Sequence, residues 1–167
     1  MRVCWHLVTQ ARTVDTMRIR EILDLKGGTL YSIPPDGLLA DAVSLMVKHD
    51  VGSLVVLRGD AMVGLVTFRE VLAALDAGRG SLARRTVAEV MVKDPPCGQL
   101  DDTIDHMRGL MTELHVRYLP ILEGGRLLGI LSFHDVARAA LKAASFENRL
   151  LKQYIKNWPE PDPADSR

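Results

Sequence analysis

The sequence predicts an α/β protein of the α+β type, with two pseudo-symmetric β-α-β-β-α repeats packed sheet to sheet and a helix at the C-terminal end. Three observations predict it: an internal repeat, a fixed order of periodicities within each copy, and a helical apolar stripe after the second copy. With 167 residues, of which 47% are apolar, the chain can form one compact domain or two small ones that share a core.

The internal repeat appears when the sequence is shifted by 65 residues. Residues 51–72 then align with 116–137 without a gap, and seven of the 22 pairs are identical. The identical pairs are Val51/Val116, Leu54/Leu119, Leu57/Leu122, Gly59/Gly124, Gly64/Gly129, Phe68/Phe133 and Val71/Val136. Because a fixed period marks a repeated structural unit, we expect residues 17–80 and 81–144 to be two copies of one fold.

The order of elements in each copy follows from its apolar spacing. Leu39, Ala42, Val43 and Met46 fall at i, i+3, i+4 and i+7, which predicts an amphipathic helix that ends near Asp50. Apolar runs and turns place the other elements of this copy: strands at 53–57 and 62–67, a helix from Phe68 to just before Gly78, and a leading strand at 30–33. The second copy repeats this order, with its leading strand around Cys97.

A further amphipathic helix is predicted at 145–158, with Ser145 as its N-cap. Its apolar positions are again spaced i, i+3, i+4 and i+7: Leu151, Tyr154, Ile155 and Trp158. This stripe either packs on its own domain or forms part of a dimer interface. Residues 159–167 are expected to be a disordered tail and 1–16 an N-terminal extension, with Met17 as the native start.

Composition excludes several classes of protein. The 21 Lys and Arg residues equal the 21 Asp and Glu residues, and the balance holds along the chain, so a nucleic-acid partner is not expected. No apolar run reaches the length of a membrane span, and the N-terminus does not have the pattern of a signal peptide. Two cysteines without CxxC spacing predict neither a disulfide framework nor a zinc site. We therefore expect a soluble cytoplasmic protein.

The sequence contains no P-loop, zinc-protease or nucleophile-elbow motif, and its five histidines lack metal-ligand spacing. What recurs is a strand-to-helix junction, Gly64–Glu70 in one copy and Gly129–Asp135 in the other. A hydroxyl with a carboxylate three residues on forms a capping box, and stability alone would explain it. Alternatively, free N–H groups at a helix start suit an anion and a nearby carboxylate suits a vicinal diol, which together fit a ribose phosphate.

The repeat, its element order, the strand Arg117–Leu122 (RYLPIL) and the two junctions resemble a tandem pair of CBS domains, the Bateman module, of the small stand-alone bacterial type. The resemblance covers roughly residues 17–144. It implies two repeats related by a pseudo-twofold axis, with adenosyl ligands bound in the clefts between them. The ligands that it implies are AMP, ADP, ATP, NAD or S-adenosylmethionine, with AMP the first choice, and no catalytic activity.

The resemblance also implies site residues. The preferred site comprises Thr29, Leu30, Tyr31, Gly52, Arg117, Tyr118, Ser132, His134 and Asp135. In it, Asp135 and Ser132 would hold the ribose and phosphate, and Arg117 would reach the phosphate. Family members commonly have two basic residues before Leu-Pro, whereas this chain has Arg117 and Tyr118. A second, weaker site comprises Ser53, Thr67, Arg69, Glu70 and Cys97, and Glu70 stands where Asp is usual.

The resemblance implies a homodimer that senses its ligand and acts on a separate regulated protein. Two alternatives stay open: a structural interaction protein with vestigial clefts, and a small enzyme that uses Cys97 with a nearby histidine. No metal is expected in any of these cases.

Overall fold

The computed structural model describes residues 17–27, 29–82 and 84–156, so the predicted N-terminal extension and tail lie outside the described residues. The helices are α1 (Ile19–Lys26), α2 (Leu39–His49), α3 (Phe68–Ala77), α4 (Val87–Val90), α5 (Ile104–Glu113) and α6 (Phe133–Lys156). The strands are β1 (Ser32–Ile33), β2 (Ser53–Arg58), β3 (Ala61–Thr67), β4 (Gly98–Gln99), β5 (Tyr118–Glu123) and β6 (Arg126–Ser132). The predicted β-α-β-β-α order is present in both copies, and α1 and α4 are additions to it.

Each repeat contributes one three-stranded sheet, ordered β1-β2-β3 and β4-β5-β6. The first pair in each sheet is parallel and the second is an antiparallel hairpin. Each hairpin has a register shift at the equivalent place, between Val56 and Leu57 and between Ile121 and Leu122. The two sheets contact each other through β3 and β6. The duplication therefore extends to local irregularities of the backbone as well as to the order of the elements.

The ends of the helices follow from local sequence. Asp50 ends α2 in the left-handed conformation, with φ of 52°, and its N–H donates to the carbonyls of Met46 and Val47. His115, at the equivalent position of the second copy, has the same φ of 52°. At the start of α3, Thr67 accepts a hydrogen bond from the Arg69 N–H, as a cap should.

The apolar side chains form two cores, one for each repeat. The first core contains Leu39, Ala42 and Met46 from α2 with Leu54 and Val56 from β2. The second contains the equivalent Ile104, Met107 and Met111 from α5 with Leu119 and Ile121 from β5. These positions confirm the apolar spacing that predicts α2, since all three of its core residues are at most 1% exposed.

The short helix before each repeat docks on the other repeat. Ile19 of α1 is fully buried in the second core, and its N–H donates to Asp102 O at 3.0 Å. Val87 of α4 is fully buried in the first core, and its N–H donates to Gly37 O at 2.9 Å. Gly37 and Asp102 are equivalent positions of the 65-residue repeat, so the two dockings are one contact used twice.

This exchange changes the predicted boundaries. The compact units are not the continuous segments 17–80 and 81–144, because α1 belongs to the core of the second repeat and α4 to that of the first. A shift along the sequence detects copies but cannot show which copy a short connecting helix contacts.

The C-terminal helix is also different from its prediction. Instead of a new helix capped by Ser145, α6 runs without a break from Phe133 to Lys156. No Pro or Gly separates the two predicted helices, so nothing in the chain ends the first one. Trp158 lies outside the described residues, as do the side chains of the rest of the predicted stripe. Among the described residues, no helix is both long and apolar enough to cross a bilayer.

Candidate functional site

A cavity of about 750 Å³ opens between the two repeats. Its walls come from the end of α1, the segment before β1, the start of β2, the start of β5 and the junction of β6 with α6. The residues that line it include Lys26, Thr29, Tyr31, Gly52, Arg117, Tyr118, Ser132 and His134. Both repeats therefore build one concave site.

The structure brings most of the preferred site together. Eight of its nine predicted residues line the cavity: Thr29, Leu30, Tyr31, Gly52, Arg117, Tyr118, Ser132 and His134. The ninth, Asp135, lies immediately behind the wall, where its Oδ2 accepts from the Ser132 N–H at 2.9 Å and from Ser132 Oγ at 2.6 Å. The Asp135 N–H donates back to Ser132 Oγ at 3.2 Å, which completes the predicted capping box.

Asp135 is paired with a residue that the sequence did not indicate. Lys26 Nζ lies 2.7 Å from Asp135 Oδ2 and also donates to Ile130 O at 2.9 Å. Burial alone would raise the Asp135 pKa, but hydrogen bonds from Lys26 and Ser132, with the charge of Lys26, outweigh it and hold the pKa below its ordinary value. The carboxylate is therefore ionised at neutral pH, as acceptance of hydrogen bonds from hydroxyl groups requires.

Lys26 reaches the cavity only because α1 docks on the second repeat. The contact joins residues 109 positions apart in the chain. The apolar positions Ile19 and Ile22 give α1 one buried face, which is the one local signal for this helix. Nothing local identifies the repeat on which that face packs.

Arg117 and His134 add polar groups to the wall. Arg117 is exposed and, within the part of the chain that the structure describes, makes no ion pair. His134 Nδ1 lies 3.2 Å from an Arg138 guanidinium nitrogen. Since Arg138 can only donate, Nδ1 is the acceptor and the Nε2–H remains as a donor for another group.

Tyr118 crosses from the second repeat to the first. A Cβ built on Gly52 would lie 1.9 Å from the Tyr118 hydroxyl oxygen and 3.2 Å from the ring of Phe68. The position before the first copy's strand must therefore be glycine for Tyr118 to lie where it does. Burial raises the Tyr118 pKa, an effect that the Arg117 charge opposes and the Asp135 charge adds to, so its phenol is neutral at pH 7.

An aromatic stack supports the wall formed by the segment before β1. The rings of Tyr31 and His49 lie with centroids 4.2 Å apart and planes inclined by 25°. His49 comes from the last turn of α2, so the stack ties the cavity wall to the helix that fills the first core. Tyr31 thus presents an aromatic edge to the cavity from a fixed position.

The residues of the second predicted site are arranged differently. Thr67, Arg69, Glu70 and Cys97 do not line this cavity, whereas Ser53, assigned by sequence to the second site, does. Ser53 lies there because the starts of β2 and β5 approach each other, as the closeness of Gly52 to Tyr118 shows. Glu70 is engaged in its capping box, with Oε2 accepting from the Thr67 N–H at 2.9 Å and from Thr67 Oγ1 at 2.5 Å.

The surroundings of this second junction are also closed by backbone pairing. Leu65 of β3 and Val92 exchange N–H to carbonyl hydrogen bonds of 3.0 and 2.8 Å. A Cβ on Gly64 would lie 2.8 Å from the Met91 sulfur, so the chain after α4 lies directly on this strand. At the equivalent strand edge of the cavity, the neighbours are side chains of α1, Leu23 beside Gly129 and Lys26 beside Ile130. The two junctions therefore differ in their cover: backbone of the chain after α4 lies on one, and side chains of α1 lie on the other.

Among the described residues, no cluster of histidine, cysteine and carboxylate side chains is arranged to hold a metal ion. Cys97 donates its thiol to Pro95 O at 3.1 Å, and burial raises its pKa. The thiol is therefore protonated at neutral pH and is a poor nucleophile.

Two pseudo-symmetric repeats that both line the same cavity are typical of tandem-repeat modules, in which the two halves together form the binding site. The family model of the CBS domain matches residues 28–77 and 87–142, and the chain belongs to the CBS-domain family.

Three proteins of this family are similar to the chain in sequence or in structure. The CBS domain-containing protein CBSX3, mitochondrial, of Arabidopsis thaliana is 26% identical over 151 residues, which cover 85% of this chain and 73% of that protein. The structure of a protein with CBS domains from Burkholderia ambifaria MC40-6 has a TM-score of 0.72 and 29% identity, over 75% of this chain and 95% of that one. The structure of CBSX2 in complex with AMP has a TM-score of 0.60 and 25% identity, over 68% and 90%.

Proposed function

We propose that the protein is a non-catalytic sensor that binds an adenine nucleotide in the cavity between its repeats. The observation that carries the proposal is the junction of Ser132 and Asp135, where a helix start and an ionised carboxylate meet in a cavity built by both repeats. A nucleotide there contacts both halves, so its binding energy depends on how the halves are arranged. That dependence is what a sensor needs in order to signal.

The dimensions of the site support a ligand of nucleotide size. Small-molecule pockets enclose roughly 300–1,000 Å³, and this cavity of about 750 Å³ falls within that range. Its lining includes the apolar groups Leu30 and Tyr31, which suit a planar base, and the polar groups Arg117, Ser132 and His134, which suit an anion. A ligand with one aromatic and one anionic end matches this polarity.

The roles of individual residues follow from their chemistry. Asp135 accepts hydrogen bonds from the ribose hydroxyls, and Arg117 binds the phosphate with help from the positive end of the α6 dipole. The His134 Nε2–H is a further donor to phosphate oxygen. These assignments place the anionic end of the ligand beside cationic groups.

Charge favours AMP, ADP, ATP or NAD over S-adenosylmethionine. Lys26 and Arg117 line the cavity, and both cations repel the positive charge of a sulfonium ligand. CBSX2, a relative of similar fold, has been solved in complex with AMP. We therefore place AMP first.

A dimer that presents its state to a separate regulated protein is the second part of the proposal. Exposed apolar side chains lie one or two turns apart on equivalent helices: Phe68 and Leu72 on α3, and Phe133 and Leu141 on α6. They are 47–69% exposed in the single chain. Exposed apolar surface on these two equivalent helices favours burial against a second copy.

Cys97 does not support the alternative of a small enzyme. Its thiol is protonated, donates to a backbone carbonyl, and does not line the cavity. The vestigial-cleft alternative fits the second junction better than the first, because the backbone at Val92 pairs with the adjoining strand and Thr67 and Glu70 do not line the cavity.

Equilibrium binding by titration calorimetry tests the proposal, with AMP, ADP, ATP, NAD and S-adenosylmethionine as separate ligands. We expect AMP to bind with a Kd below millimolar and S-adenosylmethionine more weakly. If none of the five binds below millimolar, the protein is not a sensor of these ligands, and an interaction protein with vestigial clefts becomes the better description.

A further inference from the structure

The carboxylate of Asp135 is already occupied on one side. Three donors converge on its Oδ2: Lys26 Nζ at 2.7 Å, the Ser132 N–H at 2.9 Å and Ser132 Oγ at 2.6 Å. Oδ1 accepts no hydrogen bond from any residue in the described ranges 17–27, 29–82 and 84–156. The protein itself therefore already uses one of the two carboxylate oxygens that would accept hydrogen bonds from a ribose.

A vicinal diol requires more than the remaining oxygen. Two adjacent hydroxyls bind a carboxylate best when each donates to its own oxygen, as in a bidentate pair. The two bonds from Ser132 belong to the capping box at the start of α6 and stay with that helix. Lys26 is the one of the three donors that comes from a different element, so it is the donor that a diol can replace.

Lys26 is placed to leave its partner. It lies in the last turn of α1, and its side chain is 37% exposed while that of Asp135 is 13% exposed. Water can therefore solvate the ammonium group once it separates from the carboxylate. Gly27 follows with φ of 78°, in a region that glycine adopts without strain, and ends the helix there.

We propose that Lys26 is an internal competitor for the sugar: it occupies Asp135 in the empty cavity, and a ligand with a vicinal diol must displace it. This inference rests on the proposed function, since it concerns the same cavity. It makes Lys26 a determinant of specificity, because a sugar that offers one hydroxyl uses Oδ1 and leaves the ion pair intact. A sugar that offers two hydroxyls forms a second hydrogen bond to Asp135, at the cost of the ion pair between Lys26 and Asp135.

Displacement of Lys26 also changes the contacts of α1 when the cavity is occupied. The buried side of this helix, with Ile19 and Ile22, stays in the second core. The end that carries Lys26 loses its contacts with Asp135 and Ile130. Lys26 and Gly27, which both line the cavity, are then the residues of α1 and its C-cap whose conformation depends on the ligand.

Two neutral nucleosides test the competition without interference from phosphate. Binding of adenosine and 2′-deoxyadenosine is measured by titration calorimetry for the wild type, Lys26→Met and Arg20→Met. Arg20 is the matched control, since it is a cation of the same helix that pairs with Asp101 and Glu123 outside the cavity. We expect Lys26→Met to bind adenosine about fivefold more tightly than wild type and 2′-deoxyadenosine equally well, with Arg20→Met unchanged.

A second variant protects the result against a change in folding. Lys26→Gln keeps a hydrogen-bond donor of shorter reach and no charge, and we expect an adenosine affinity between those of wild type and Lys26→Met. Amide hydrogen exchange of wild type gives an independent readout: adenosine should speed exchange at Gly27, whose N–H donates to Leu23 O at 3.2 Å.

Each contrary result has a distinct meaning. Weaker adenosine binding by Lys26→Met would show that Lys26 contacts the ligand and would overturn the competition, as would an equal gain for both nucleosides. If AMP binds wild type while Lys26→Met leaves adenosine affinity unchanged, the competition is wrong and the sensor proposal stands. If no nucleoside or nucleotide binds any variant, both are wrong.

Discussion

The Tyr118 hydroxyl lies so close to Gly52 that a single added methyl group at residue 52 would fall 1.9 Å from its oxygen. The two residues belong to different repeats. In the 65-residue alignment Gly52 corresponds to Arg117, and Tyr118 corresponds to Ser53. Glycine in one copy thus makes room for an aromatic side chain from the other, and the pair contributes to the contact between the repeats.

Substitution of Gly52 by Ala should displace Tyr118 and destabilise the protein. We expect a loss of about 1–2 kcal/mol in the free energy of unfolding, because the Tyr118 ring must move away from the added methyl group or the backbone must shift. In Tyr118→Ala the same Gly52→Ala change should cost almost nothing. Urea unfolding of the four proteins in this double-mutant cycle measures the coupling, and strictly additive effects would contradict the contact.

Replacement of Asp135 by Ala should weaken AMP binding at least tenfold, since the ligand loses the proposed acceptor of its ribose hydroxyls, which lies behind the wall at Ser132. The matched variant Glu70→Ala should change the affinity less than twofold, because Glu70 does not line the cavity. Titration calorimetry compares the two. A larger loss for Glu70→Ala would move the site to the other junction.

Stability at acidic pH should depend on Asp135. Its folded pKa lies below the ordinary value of 3.8, so the stabilisation is fully present above that value and is lost as the pH falls through the folded pKa. We expect Asp135→Asn to be less stable than wild type at pH 7 and the difference to shrink below about pH 4. Urea unfolding at several pH values measures it. Asp60→Asn, in an exposed turn, controls for the loss of one charge, and a gap that stays constant in acid would contradict the prediction.

Truncation of Ile19 should destabilise the second repeat, although Ile19 lies before the first repeat in the sequence. Ile19 is fully buried there, so Ile19→Ala should lower the free energy of unfolding by about 2–4 kcal/mol. The control Leu25→Ala, 78% exposed on the same helix, should have little effect. Hydrogen exchange should rise in α5 and β6 before α2 and β2. Faster exchange confined to the first repeat would argue against the docking seen here.

The apolar side chains on α3 and α6 predict the state of association. We expect the wild type to be a dimer by light scattering after size exclusion, and Leu72→Glu with Leu141→Glu to be monomeric, because two charges would then be buried without partners. Leu25→Glu, on α1, is the control and should stay dimeric. A monomeric wild type, or a dimer that survives the double variant, would place the interface elsewhere.

Local sequence predicted the features that depend on neighbours in the chain. The helix of Leu39 and Met46 and the capping boxes of Thr67 and Ser132 involve residues within one or two turns, where spacing determines contact. The grouping of the first site's residues was implied by the family resemblance, which depends on the repeat and its motifs.

Contacts between distant segments were the ones that sequence did not reveal. Lys26 meets Asp135 because α1 docks on the second repeat, and no spacing rule encodes that choice. Ser53 lies in the cavity because two strands approach at the centre of the molecule. Ser145 resembles a helix cap in composition, but the helix before it has no residue that stops it.

The exchange of α1 and α4 bears on the origin of the chain as well as on its stability. A polypeptide of one repeat with its leading helix would have an uncovered core, since its own helix docks on a different copy. Such a chain satisfies both contacts only when two molecules trade helices. A single chain that now holds both copies has the connectivity of a domain-swapped dimer whose subunits became joined end to end.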